Sequence, residues 1–117
     1  MGYIDVYIMP VLQSREADYL KWAELGRKVW LEHGALSYAE NRADDVPVGS
    51  VTSFTKAVML EPGEIVYCAY ATYRDRAHRD QVMGLVMADA RLADMMADSP
   101  ANMQRMIWGG FETMVSG

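Results

Sequence analysis

Cysteine, histidine and proline are scarce in this 117-residue chain, at one, two and four residues. With Cys68 alone, no intramolecular disulfide forms, and a structural zinc site lacks the tight His/Cys spacing it needs, so no metal is expected. Basic residues are also few: 11 Lys+Arg face 16 Asp+Glu, for a formal charge of −5. A surface of that sign repels phosphate backbones and anionic lipid, so neither nucleic acid nor membrane is an expected partner. No apolar run approaches the roughly 18 residues that a spanning helix needs. The longest, Val82 to Ala88, is interrupted by Gly84. No basic stretch leads into an apolar segment near Met1, so no secretory signal is expected and a cytoplasmic location is. Glycine forms no phosphate-binding loop, because Gly109-Gly110 lies within a predicted strand rather than before a helix. What the chain does have is 51% hydrophobic residues. That supply buries a core, and the length fits one domain over residues 1–117.

The β-branched and aromatic run beginning at Tyr3 predicts a strand over about 3–9, leaving regular pairing near Pro10. Ser14 is placed to cap a helix with Glu16 and Asp18 in its first turn, and the stripe Tyr19, Trp22, Ala23, Gly26, Val29, Trp30, His33 carries that helix to Gly34. A strand is expected over Leu36–Ala43. A connection over 46–63 follows, long enough for a lid or dimer arm, with a short helix within Ser53–Leu60. Glu64–Tyr73 is the clearest strand. Asp75 then caps a helix from Arg76 to about Ala88 that buries His78, Val82, Leu85 and Val86, and Asp89 caps a short one ending before Pro100. Arg105–Val115 reads as a last strand whose two glycines mark a bulge or a close approach of another backbone.

The order β α β, connection, β α β predicts an α+β, ferredoxin-like βαββαβ sandwich: a four-stranded antiparallel sheet with both long helices on one face. The first strand is apolar on both parities, with Ile4, Val6, Ile8 on one side and Tyr3, Tyr7, Met9 on the other. The helix-free face therefore also needs a cover, and a homodimer formed sheet to sheet supplies one.

Several segments stand in the order and spacing of a known family: Trp30-x-x-His33-Gly34-Ala35-Leu36, Val51-Thr52-Ser53-Phe54, Tyr73-Arg74-x-Arg76-Ala77-His78-Arg79-Asp80, Val86-Met87-Ala88-Asp89 and Arg105 to Glu112. On these the chain resembles the YbaA-like family of uncharacterised bacterial proteins, in the dimeric α/β-barrel superfamily. The resemblance covers nearly the whole chain and implies a fold and a dimer rather than a reaction. Ala90 follows Asp89 where proline is usual, and the segment before Arg105 is shorter, so a different final loop is expected. The superfamily also implies a pocket between helices and sheet, as in its cofactor-free monooxygenases, isomerases and polyketide cyclases. The expected function is thus to hold a small organic molecule, with or without catalysis, the alternative being a non-catalytic binding or stress-response module. Haem-degrading members place an iron-binding histidine on the second helix, where His78 stands here. They also carry an asparagine and a tryptophan where this chain has Asp5 and Tyr67 or Tyr70, so haem is a minor reading and no cofactor is expected.

Within that frame His33, at the C-terminal end of the first helix, is an acid/base candidate or a capping residue. Asp5, Glu40 and Glu112 are carboxylates in apolar strands, suited to proton transfer if burial raises their pKa, or to pairing with Arg42 or Arg105. The expected catalytic set is His33 with Asp5 or Glu40. Trp30, Tyr38, Tyr70, His78 and Trp108 are the expected ligand contacts, with core packing as the alternative for each. Cys68 reads as an inert thiol, and the ten methionines as core filler or an adaptable pocket wall.

Overall fold

The computed structural model describes residues 2–117. Its elements are β1 (Tyr3–Leu12), α1 (Glu16–Glu32), β2 (Ser37–Arg42), α2 (Phe54–Ala57), β3 (Glu64–Tyr73), α3 (Arg76–Met87), α4 (Ala90–Ala97) and β4 (Ile107–Glu112). The four strands form one antiparallel sheet in the order β2-β3-β1-β4, the ferredoxin-like arrangement expected from the sequence.

Local signals explain most boundaries. The Asp75 and Asp89 side chains accept from the backbone N–H of His78 and Arg91, opening α3 and α4. Gly34, at φ 112°, ends α1: its N–H reaches the Leu31 carbonyl and that of Ala35 reaches Trp30, closing a Schellman turn.

The structure departs from the sequence reading in several places. β1 runs through Pro10 to Leu12 instead of stopping near it. The Pro10 carbonyl accepts from Asn102 on the β4 side, beyond the last β1–β4 pair at Ile8–Ile107, so the N–H that proline lacks falls outside the β1–β4 ladder. Ser14 caps nothing, because a 3-10 turn over Gln13–Arg15 intervenes and α1 starts at Glu16 without a side-chain cap. Leu85 is exposed, since the inward stripe of α3 is His78, Val82 and Val86. β4 is shorter than expected and pairs without a bulge. The close approach at Gly110 comes from a side chain: a Cβ there would lie 2.3–2.8 Å from the hydroxyl and ring of Tyr3. Only glycine lets that ring lie across β4.

Alternation sorts the sheet into two faces. The helix side carries Tyr3, Asp5, Tyr7, Met9 and Val11 of β1 with Tyr67, Ala69, Ala71 and Tyr73 of β3. There they build two core clusters, one beneath the Val29 end of α1 with α3 and α4, the other beneath Tyr19 and Ala23. On the opposite face Val58 and Leu60 of the 46–63 connection pack against Ile8 and Val66. Beyond that cover, Ile107 and Phe111 stay exposed and Ile4, Val6 and Tyr70 half-buried.

Candidate functional site

The register fixes which side chains share a level on the helix side. Glu40, Ala69, Tyr7 and Trp108 stand in one row across the four strands, and Tyr38, Ala71, Asp5 and Gly110 in the next. The two alanines leave a hollow between the β1 and β2 side chains. A cavity of about 70 Å³ occupies it, floored by Ala69, flanked by Tyr7 and Met9 on one side and Tyr38 and Glu40 on the other. Trp22 and Trp30 of α1 roof it, with Met95 and Met96 of α4 and Met103 and Met106 of the last loop. Gly26 lets the roof sit this low, since a Cβ there would lie 3.2 Å from the Tyr38 hydroxyl and 3.3 Å from the Met95 methyl.

Glu40 is the one carboxylate among the described lining residues. The Tyr19 hydroxyl donates to its Oε1 and the Tyr38 hydroxyl to its Oε2, each at 2.5 Å. No salt bridge among the described residues involves it. Burial raises its pKa above the ordinary 4.5 against the pull of the two phenols. In turn, burial first and the Glu40 charge second push Tyr19 and Tyr38 far above the usual phenol range. The result is a carboxyl that holds a proton more readily than a surface glutamate, facing an almost wholly apolar wall.

Asp5 is fully buried one row away. Its Oδ1 accepts from Arg79 of α3 at 2.9 Å, and Arg79 also donates to the Tyr3 hydroxyl at 3.2 Å and lies 5.0 Å from that ring's centroid. Burial raises the Asp5 pKa and Arg79 opposes it. The remaining expected residues are not gathered around the cavity. His33 bonds Asp89 through Nε2 at 2.7 Å, in a cluster where Arg91 also clamps Asp89 and Glu32. Hydrogen bonds from Arg91 and then His33 hold Asp89 well below the usual carboxylate range. His78 is buried under α3, taking the Arg74 N–H on Nδ1 at 3.0 Å with its ring edge-on to Tyr73. Trp108 stacks on Tyr7 at 6.2 Å from the edge strand and is 60% exposed. Tyr70 has the opposite parity, beside Val6 and Ala39 on the helix-free face.

Of the arginines offered as partners, Arg42 pairs with Glu16 and Arg105 with Glu64. Arg105 also donates to the Val58 and Met59 carbonyls, pinning the 46–63 connection. Sequence reasoning missed Tyr19 as a ligand of Glu40 and Arg79 as the partner of Asp5. A period-2 reading placed Asp5 on the side of Tyr3 and Tyr7, which was the available signal. No cluster of three or more His, Cys, Asp or Glu suited to a metal exists among the described residues, and none of their helices is long and apolar enough to cross a membrane.

Comparison with known proteins agrees with this architecture. The family described as "Protein of unknown function (DUF1428)" matches residues 2–103. The "Uncharacterized protein YbaA" of Escherichia coli strain K12 is 33% identical over 115 residues, covering 98% of each chain, and the protein of that name from Shigella flexneri matches equally. Among solved structures, a dimeric ferredoxin-like protein from an uncultured marine organism superposes with TM-score 0.59 at 10% identity, over the whole of both chains. An EthD-like protein from Ralstonia eutropha JMP134 does so with TM-score 0.54 at 16% identity, over 100% of this chain and 96% of the other.

Proposed function

Because this chain belongs to the DUF1428 family, whose description assigns no activity, we propose from its geometry that it binds a small, largely apolar organic molecule over Ala69, with Glu40 as the group that accepts or returns a proton. One observation carries the reading: a half-buried carboxyl, held by two phenols and no cation, lines an apolar cavity. Such a group is unfavourable for stability, since a neutral side chain of similar size fits the same place without desolvating a charge. A site that accepts this penalty is suited to proton transfer on a ligand C–H or O–H, the step shared by cofactor-free oxygenation, isomerisation and cyclisation.

The make-up of the cavity roof, rather than its volume, favours binding. At about 70 Å³ it falls well short of the roughly 300 Å³ usual for ligand pockets. Methionines supply much of its roof, and unbranched thioether chains repack readily around a guest. Titration with toluene tests this: the Trp22 and Trp30 fluorescence changes saturably and the melting temperature rises with concentration. A flat fluorescence trace and an unmoved melting temperature up to the solubility limit of toluene count against the reading.

The second element of the proposal is a homodimer through the helix-free sheet face. Val6, Tyr70, Ile107 and Phe111 form an apolar centre there, with Ser37 and Asn41 exposed at its rim. The fold-mate described as dimeric shares this architecture. Light scattering at micromolar concentration gives twice the 13.2 kDa chain mass, and Val6→Lys, which sets like charges at the centre of the interface, returns the monomer. A wild-type mass of one chain overturns the dimer.

A further inference from the structure

Glu40 reaches up to the middle of α1. Its Oε2 accepts from the Tyr38 hydroxyl at 2.5 Å, and that hydroxyl stands 3.2 Å from where a Cβ of Gly26 would lie. Its Oε1 is held by Tyr19 of the same helix. Trp22 and Trp30 come four residues before and four after Gly26, so they share its face of α1, each about 6 Å along the axis from it. The carboxyl is thus placed between two indoles. Tyr38 closes a corner with Trp30, the two ring centroids 5.8 Å apart at 50°, and Tyr7 stands in the Glu40 row across the alanine floor. All five side chains line the cavity and are half-buried, although Ala23, Val29 and Ala69 among them are buried, so each retains surface that a guest can cover.

The set has the composition of a cation receptor. Aromatic rings attract a cation over their faces, a carboxylate supplies the opposite charge, and no basic side chain among the described residues pairs with Glu40. We infer that the ligand of this cavity carries an alkylated ammonium group, whose N–H donates to Glu40 and whose alkyl groups lie against Trp22, Trp30 and Tyr38; this rests on the binding reading above and names its ligand class. Other cations match the wall less well. Calcium or magnesium takes about six oxygen ligands, and the lining offers one carboxylate. A primary ammonium or a guanidinium brings several N–H donors to that single charged acceptor. A tertiary ammonium has one N–H and is otherwise hydrocarbon, as the wall is apolar apart from Glu40. The thioether chains of Met95, Met96, Met103 and Met106 fold readily over such methyl groups. The ligand's charge in turn holds Glu40 as the carboxylate, the form that accepts a proton.

Trimethylammonium and tert-butyl alcohol, alike in size and shape but not in charge, test the inference at pH 7 and constant ionic strength. In the wild type trimethylammonium binds about tenfold more tightly, the value of one charge-assisted hydrogen bond. Its methyl proton resonances move upfield on binding, the ring-current signature of a guest lying against indole faces. In Glu40→Gln, shown to be folded by a melting temperature no lower than that of the wild type, the preference disappears. Equal affinity for the two compounds in the wild type overturns the inference, and toluene binding measured alongside leaves the binding reading intact. A preference that survives in Glu40→Gln places the cation on the acidic surface and overturns it too, as do methyl resonances that stay where they are in free solution. If toluene and both compounds fail to bind, the binding reading falls and takes this inference with it.

Discussion

Arg79→Ala is expected to destabilise the protein by about 3–5 kcal/mol at neutral pH, the usual consequence of removing one partner of a buried ion pair. Asp5 is fully buried, and Arg79 supplies its one charged partner among the described residues. Without the guanidinium the carboxylate either stays charged in the core or takes up a proton. Protonating an aspartate at pH 7 costs about 4 kcal/mol, which limits the loss. The pH dependence follows from the same step. Asp5 already has a folded pKa above its ordinary 3.8, and losing Arg79 raises it further. The carboxyl then favours the folded state while it is protonated, and that contribution fades as pH rises through the folded pKa. The deficit of Arg79→Ala therefore shrinks as pH falls toward 4. Urea denaturation across pH 4–8 measures it, and adding Asp5→Asn to Arg79→Ala recovers most of the loss by removing the buried charge. A deficit unchanged by pH or by the second substitution places the cost in the lost packing of Arg79 on Tyr3 instead.

Substitution of the half-buried carboxyl that lines the cavity has the opposite sign. Glu40→Gln is expected to raise stability at neutral pH, because the amide accepts from one tyrosine, donates to the other and carries no charge to desolvate. Glu40 has a raised folded pKa, so the wild type is favoured below 4.5 and loses that advantage as pH climbs through the folded value. The gain from glutamine grows over that window by about 1.4 kcal/mol for each tenfold increase in proton affinity that burial confers, and vanishes below it. The substitution also removes the carboxyl that lines the cavity, so proton transfer carried out there falls about 10²–10⁴-fold. Denaturation curves at pH 4 and pH 8, with carboxyl carbon NMR to follow Glu40, provide the check. A variant less stable than the wild type at pH 8 would mean that the two phenol bonds outweigh desolvation, removing the stability argument for a functional role.

The fold was legible because its signals are local. Asp75 and Asp89 as caps, Gly34 as a stop and the β-branched run of Glu64–Tyr73 each act within a few residues. Where the reading failed, the deciding contact came from elsewhere in the chain. Pro10 stays in β1 because β4 has already ended beside it, and Ser14 is bypassed because β1 runs on into a 3-10 turn. The candidate site was legible in its residue types and less so in its grouping. Glu40, Tyr38 and Trp30 meet around one hollow, while His33 is engaged by Asp89, 56 residues away, and Tyr70 points off the other side of the sheet.

Alternation and capping by themselves determined a four-stranded sheet with helices and a first strand apolar on both faces. They left open which of those faces the helices cover, since both parities carry apolar residues. Tertiary packing decided that, and with it which carboxyl meets phenols and which meets an arginine, because strand register and helix docking join side chains that are far apart in the chain and have no local preference for one another.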